Sequence, residues 1–335
     1  MGISMLTIGV IGVGRIGKMH AEIIERDIEG ATLGAVADAN AGLANLIARD
    51  LQVPALSVTD LINSPEIQAV AICSSTDTHV ELIEAVAKAG KAIFCEKPIS
   101  LNLVEVDRAI AAINENQVPF MVGFNRRFDP AHSSVHNAVA TGVIGDVHLV
   151  RISSRDSAPP PVEYIEVSGG IFVDMMIHDF DMTGYLVNSP VVEVFAKGAV
   201  RIDPAIGEAG DIDTAMVMLT HANGTMTTID NSRQAVYGYD QRVEVFGEKG
   251  MAASENPSTH SGMIRTSAGT STPGLPFLFL DRYVDSYRLE WQAFLNYVEQ
   301  GGESPVSAAA GRIPVVLAKA ASQSLRTGLP VVVNN

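Results

Sequence analysis

The chain has 335 residues and a formal net charge of −15. One hydrophobic core rarely serves such a length, so two domains are expected, and the acidic balance argues against a nucleic-acid partner, whose phosphates need an excess of basic surface. Hydrophobic residues at 47% and charged residues at 18% describe an ordinary globular chain and exclude a disordered one.

In chain order, the apolar run LTIGVI (Leu6 to Ile11) reads as a strand, followed by glycines and a helix from Ile16 to about Arg26. ATLGAVAD, ending at Asp38, is a second strand, and a helix follows from Ala41 to about Leu51. AVAICS (Ala69 to Ser74) precedes a helix from Val80 to Ala89, AIFCEKP (Ala92 to Pro98) is a strand with another helix after it, and PFMVGF, ending at Phe124, closes the series. Strands alternating with helices predict α/β architecture, a doubly wound parallel sheet of the Rossmann type covering residues 5–124. Beyond Asn125 the strands lengthen and alternate: VHLVRISSR, VVEVFAKGAV, DTAMVMLTH, GTMTTIDNS and RVEVFG, with a hairpin at Asn223-Gly224. They predict an α+β domain over 125–335 with a large open, mostly antiparallel sheet. One helix is expected from about Ile171 to Val187, with two more at roughly Arg282 to Glu299 and Ala308 to Thr327 that can pack back on the first domain. Ser254 to Pro276 reads as a surface loop.

Only two cysteines, Cys73 and Cys95, are present. Each lies in an apolar run, which reads as core and points to a reducing cytoplasm rather than a disulfide framework. No run approaches the ~18 apolar residues of a spanning helix, and the N-terminus lacks a basic stretch followed by an apolar one. A soluble, unexported protein without a membrane partner is expected.

GVGRIG places Gly12, Gly14 and Gly17 in G-x-G-x-x-G spacing, directly after a strand and opening a helix. That context suits a dinucleotide: the first glycine makes the tight turn, the second lets backbone approach a pyrophosphate, and the third lets helix pack on strand. The helix N-terminus faces the phosphates with unpaired N–H groups. Asp38, at the end of the second strand, stands where a carboxylate accepts from a ribose diol. Ala39-Asn40-Ala41 offers no Arg for a 2′-phosphate, so NAD is expected as the cofactor. FAD uses the same fingerprint but usually demands a larger second lobe. Arg15 and Ile16 in the turn, Ser75, Thr76 and His79 after the third strand, and Glu96 with Lys97 are further cofactor-side candidates.

Lys97 follows a parallel strand at its carboxyl end, where ligands of open α/β sheets bind; position alone leaves it equally an exposed lysine on a turn. Pro98 after it is a candidate cis bond. In SGGIFVDMMIHDFDM, Asp174, His178 and Asp181 recur at i, i+4 and i+7, on one face of a helix. A carboxylate beside an imidazole fixes its tautomer and raises its basicity, which suits a base that takes a hydroxyl proton as hydride leaves. A metal pair is the rival reading of Asp and His four apart, but no third His or Cys stands at ligand spacing; a capped surface helix with a satisfied His is the plainer one.

On these glycines, the EKP at Glu96 to Pro98 and the Gly169–Asp179 segment, the chain resembles the Gfo/Idh/MocA oxidoreductase family over nearly its whole length. The resemblance implies oxidation of sugars, polyols and related alcohols with NAD or NADP, and an open C-terminal sheet that makes dimers and tetramers. It also implies a catalytic Lys, Asp and His, which fall on Lys97, Asp174 and His178. In that reading His178, oriented by Asp174, takes the proton and Lys97 positions the reacting oxygen. GFNRRFDP (Gly123 to Pro130) and NSRQAVYGYDQRVEVFGEKG (Asn231 to Gly250) are similar to the inositol dehydrogenases of the family, which implies myo-inositol as substrate. The resemblance makes Arg127, Asp156, Tyr237, Tyr239 and Tyr283 candidates for the ring hydroxyls, with aromatic packing an equal account of the tyrosine pair. Another inositol isomer or a sugar, and a non-catalytic NAD-binding sensor, remain open. An apolar sheet face needs covering, so a homo-oligomer, a tetramer by the resemblance, is expected.

Overall fold

The computed structural model describes residues 5–333. The chain divides into two compact units, Met1–Asn125 with Asp285–Val315 and Arg126–Val284 with Val316–Asn335.

The first unit is built on β1 (Leu6–Ile11), α1 (Arg15–Arg26), β2 (Ala31–Ala37), α2 (Ala41–Leu51), α3 (Val58–Asn63), β3 (Ala69–Ile72), α4 (His79–Lys88), β4 (Ala92–Glu96), α5 (Leu103–Asn116) and β5 (Phe120–Gly123). The strands form a parallel five-stranded sheet in the order β2-β1-β3-β4-β5. β3 and β5 are buried throughout, as strands covered on both faces must be, which explains their continuous apolar runs. Because all five run the same way, the turns after β1, β2, β3 and β4 emerge at one carboxyl edge, and the chain changes direction across the sheet beside β1. The helix Val284–Gln300 completes this unit. Its Trp291 is fully buried, stacks on Phe94 at 4.5 Å and donates to His20 Nδ1 at 2.9 Å.

The second unit follows with α6 (Pro130–Ala140), β6 (Val147–Arg155), α7 (Val162–Ser168), α8 (Ile171–Asp174), α9 (Ile177–Leu186), β7 (Val191–Ala199), α10 (Pro204–Glu208), β8 (Thr214–His221), β9 (Met226–Ser232), β10 (Asp240–Gly247) and β11 (Gly250–Ser254). A small exposed ribbon, β12 (Ile264–Thr266) and β13 (Gly269–Ser271), lies in the expected surface loop. After α11 (Phe279–Arg282), α12 (Val284–Gln300) and α13 (Ala308–Thr327), β14 (Val331–Val332) ends the described chain. Seven strands make one sheet, β11-β10-β6-β9-β8-β7-β14, in which only β6 and β9 pair in parallel. One face carries the core, including Val150, Ile152, Val217, Leu219, Ile229, Val243 and Val245. Register lines up Met251, Phe246, Leu149 and Met226 across four strands of the other face.

The helix expected from Ile171 to Val187 is two pieces. Gly169 and Gly170 both sit at positive φ, +84° and +80°, where only glycine is relaxed, and α8 runs for a single turn. The Met176 N–H then reaches back to Ile171 O, five residues instead of four, so the ladder slips before α9 begins. That slip shifts the face on which Asp174 and His178 were expected to align.

Candidate active site

In the first unit, three glycines do three different things. Gly12 sits at φ +85°, and a Cβ there would lie 2.4 Å from Ser74 N, so neither the turn nor the approach to the third strand tolerates a side chain. A Cβ on Gly17 would meet Gly12 O at 1.7 Å; helix and turn pack backbone to backbone. Gly14 is the opposite case, with no heavy atom within 4 Å of its Cβ position. It is the N-cap of α1, no side chain caps that helix, and no acid lies in its first turn. The N–H groups of α1 therefore open on free space beside Gly14, which fits a pyrophosphate.

Asp38 stands next to this turn. Its Oδ2 accepts from Val13 N and its Oδ1 from Asn40 N, each at 2.8 Å, so the glycine turn itself fixes the carboxylate in which a ribose diol would be held. This carboxylate fits the ribose diol of NAD and would repel a 2′-phosphate. Arg15 is exposed and Ile16 half-buried at the start of α1, while Ser75 is exposed and Thr76 half-buried at the same carboxyl edge. His79 is buried between the turns after β3 and β4, with Nδ1 2.9 Å from Pro98 O and Nε2 3.0 Å from Ser74 O; a neutral ring donates to one of these two carbonyl oxygens. Burial holds its pKa below the usual histidine value.

Glu96 ends β4, Lys97 follows it, and the Lys97-Pro98 peptide is cis. Glu96 Oε2 accepts from Lys97 N at 3.1 Å. Its Oε1 lies 2.8 Å from His20 Nε2. Because the Trp291 indole donates to Nδ1, the proton of a neutral His20 sits on Nε2 and is donated to Glu96. His20 and Trp291 are thus a buried brace for the EKP turn that sequence reading missed; a histidine one turn after the last motif glycine was the available signal. Cys73 is half-buried beside the glycine turn and Cys95 is buried. Burial pushes both thiols well above the usual value, with Glu96 adding to it.

In the second unit, Asp174 ends α8 and His178 opens α9, both half-buried. Asp174 Oδ2 accepts from Arg233 Nη1 at 3.1 Å and Oδ1 from Tyr164 OH at 2.9 Å. Asp181, expected on the same face, is buried in a two-point pair with Arg127 at 2.6 and 2.8 Å. That pair occupies Nε and Nη2 of Arg127, the residue expected to hold ring hydroxyls. Its neighbour Arg126 is the more central cation. Arg126 is buried, pairs with Asp179 Oδ1 at 2.7 Å, donates to Ser154 Oγ at 3.0 Å and reaches Tyr239 OH at 3.5 Å.

Tyr239 and Tyr283 are both buried and meet edge to face at 6.0 Å. The Tyr283 hydroxyl has no hydrogen-bond partner among the described residues, which a substrate hydroxyl would remedy. Tyr237 does not join them. Its ring is exposed, and its hydroxyl donates to Asp240 and accepts from Arg155. Asp156 lies within the field of Asp174, Asp179, Arg126 and Arg233, and its carboxyl is pushed up to about 6 by burial, then by Asp174, against the two guanidinium groups. Burial likewise raises Asp179 and Asp181 against their arginine partners. Among the described residues no group of three or more His, Cys, Asp or Glu side chains could hold a metal ion, and no helix is long and apolar enough to cross a membrane.

A parallel dinucleotide-binding unit, joined to a second unit rich in buried acids and hydroxyls, defines an oxidoreductase acting on a polar substrate. Residues 6–124 match the family described as "Oxidoreductase family, NAD-binding Rossmann fold", and residues 132–253 match the GFO/IDH/MocA C-terminal domain. The chain belongs to the GFO/IDH/MocA oxidoreductases. It is 45% identical to an uncharacterised oxidoreductase, YrbE, of Bacillus subtilis over 96% of this chain and 95% of that one. It is 46% identical to a myo-inositol 2-dehydrogenase of Thermotoga maritima over 96% of each chain. Among solved structures it is similar to a putative myo-inositol dehydrogenase from Sinorhizobium meliloti, with a TM-score of 0.96 and 44% identity over 98% of this chain and 100% of that one. It is also similar to a scyllo-inositol dehydrogenase from Lactobacillus casei with bound NAD(H) and scyllo-inositol, with a TM-score of 0.91 and 28% identity over 98% and 99%.

Proposed function

We propose that this protein oxidises a secondary hydroxyl of a cyclic polyol with NAD, myo-inositol going to its 2-keto product. The observation that carries the reading is the likeness to an inositol dehydrogenase at 46% identity over 96% of both chains, which spans both units. The charge of the second site supports it. Asp156, Asp174, Asp179 and Asp211 gather around Arg126 and Arg233, an acidic setting suited to a neutral polyhydroxy substrate. Such a site rejects analogues that leave its buried polar groups unpaired.

Bound NAD supplies the hydride acceptor. His178 takes the hydroxyl proton, Asp174 orients and charges the acid–base pair, and Lys97 supplies positive charge to the developing alkoxide. Asp156, Tyr239 and Tyr283 are assigned to neighbouring ring hydroxyls. The test is NADH absorbance with myo-inositol, scyllo-inositol and glucose supplied in turn. The largest kcat/KM is expected with myo-inositol; preference for scyllo-inositol would assign the other isomer, and no signal with any polyol would leave an NAD-binding sensor.

We also propose a cytoplasmic homotetramer. Met216, Met218, Met226, Phe246 and Met251 are exposed on the outer sheet face, an apolar area that a second copy would cover. Light scattering on the purified protein reads the assembly directly.

A further inference from the structure

Each carboxylate oxygen of Asp174 accepts from a side chain of another element. Arg233, which follows β9, is completely buried, and its two terminal nitrogens divide between carboxylates: Nη1 to Asp174 Oδ2 and Nη2 to Asp211 Oδ2, each at 3.1 Å. Asp211 is anchored in turn, because its Oδ1 accepts from Ile171 N at 3.1 Å, at the start of the short helix that Asp174 ends. Tyr164 of α7 donates to the remaining Asp174 oxygen. The carboxylate therefore has a donor on each oxygen while its side chain keeps 16% exposure.

Stability alone explains this poorly. The guanidinium is taken out of water between two partly exposed carboxylates, and a buried charge paired in this way is no more stabilising than a well-packed apolar residue. Such a cluster does fix direction, since the guanidinium is planar and always charged, and presents its donors in a rigid fork. We propose that Arg233 is the positioning residue of Asp174, its fork shared with Asp211 so that carboxylate orientation and local charge are set together. This inference rests on the reading of Asp174 as catalytic.

Among the described residues, Arg233 after β9 and Tyr164 of α7 bond Asp174, Asp156 after β6 shares its field, Asp211 before β8 lies across Arg233, and His178 follows four residues on. Asp156 reports on the cluster, because Asp174 raises its carboxyl and Arg233 lowers it. As an ionised acceptor of ring hydroxyls it adds a carboxylate ionisation to the acidic limb of kcat/KM, which the base His178 also shapes.

The test compares Arg233→Lys, Arg233→Met, Asp211→Asn and Asp174→Asn in the full-length protein, with NAD and myo-inositol. Arg233→Lys keeps the charge and loses the fork, so kcat is expected to fall on the order of 10²-fold while NADH affinity, read by fluorescence titration, is unchanged. Arg233→Met removes the cation and moves the acidic limb upward. Asp211→Asn leaves the cation undivided between Asp174 and Asp156 and moves the limb downward. Opposite shifts read the shared charge at Asp156, and loss of kcat in the charge-conserving Arg233→Lys reads the orientation of Asp174. Wild-type kcat in Arg233→Lys, or limbs that stay put or move the same way in Arg233→Met and Asp211→Asn, overturns the inference. Should Arg233→Met fail to fold, the Asp211→Asn limb and the Arg233→Lys rate still decide it. Asp174→Asn separates the two levels: full turnover in that variant removes the catalytic reading itself, whereas its inactivity beside an unaffected Arg233→Lys removes only the role of Arg233.

Discussion

The two units hold their polar groups by different means. In the first, the cofactor side is backbone geometry: a turn at φ +85°, a glycine with open space before it, and one carboxylate pinned by two main-chain N–H groups. In the second, the polar groups are charged side chains brought from distant segments: Arg126 with Asp179, Arg127 with Asp181, Arg282 with Asp129, and Arg233 between Asp174 and Asp211. A dinucleotide is the same molecule in every such enzyme, so a turn built from spacing suffices. A polyol is told from its isomers only by where donors and acceptors point, and that takes side chains locked by other side chains.

If the division of labour is real, it can be broken at either end. The largest effect is expected from His178→Gln, which removes the proposed base: kcat should fall by about 10²–10⁴-fold while NADH titrates as in the wild type. Asp38→Ala is its mirror image. The KM for NAD should rise by about 10–100-fold from the loss of charge-assisted hydrogen bonds, with kcat recovered at saturating NAD. Were both variants to lower kcat at saturation alike, the comparison would fail.

Smaller effects sharpen it through stability. His20→Leu strands the Trp291 indole N–H and one Glu96 oxygen, a loss of about 1–3 kcal/mol in urea unfolding; His20→Gln, which carries both an acceptor and a donor, should recover part of it. The smallest effect is that of mild acid on the second unit. His132 and His221 are buried there, and burial lowers both, His132 to about 4. A histidine with a lowered folded pKa binds its proton more readily when unfolded, so its contribution is present above about 6.5 and is lost as pH falls toward 4. The raised carboxyls of Asp156, Asp179 and Asp181 act in the opposite sense. Melting temperature should therefore fall modestly between pH 7 and pH 5, and a His132→Asn variant should flatten that slope.

The legibility of the molecule follows the same division. The Rossmann strands and the long strands of the second sheet were readable because burial on two faces gives continuous apolar runs and burial on one gives alternation. Gly12, Gly14, Gly17 and Asp38 were readable because backbone function leaves a fixed spacing. Arg126, Asp179, Asp211, Arg233 and Tyr164 were not, since a contact such as Arg233 with Asp174 spans 59 residues and leaves no local period. Arg126 and Arg127 are adjacent in the turn Asn125–Phe128 and pair with different acids, Asp179 and Asp181, which their sequence neighbourhood does not reveal. The broken helix at Met175-Met176 was likewise invisible, because every residue across it is an acceptable helix former and the slip arises from the glycine pair upstream.

Trp291 is the only tryptophan in the chain, and it sits in the unit that carries the dinucleotide turn, stacked on Phe94 of the strand that ends in Glu96. Indole emission from this protein therefore has one origin. A reduced nicotinamide absorbs where indole emits, so its binding to the same unit should quench the indole with no label attached. The protein carries its own optical gauge of cofactor occupancy, one blind to the polyol except through the rate at which the signal changes.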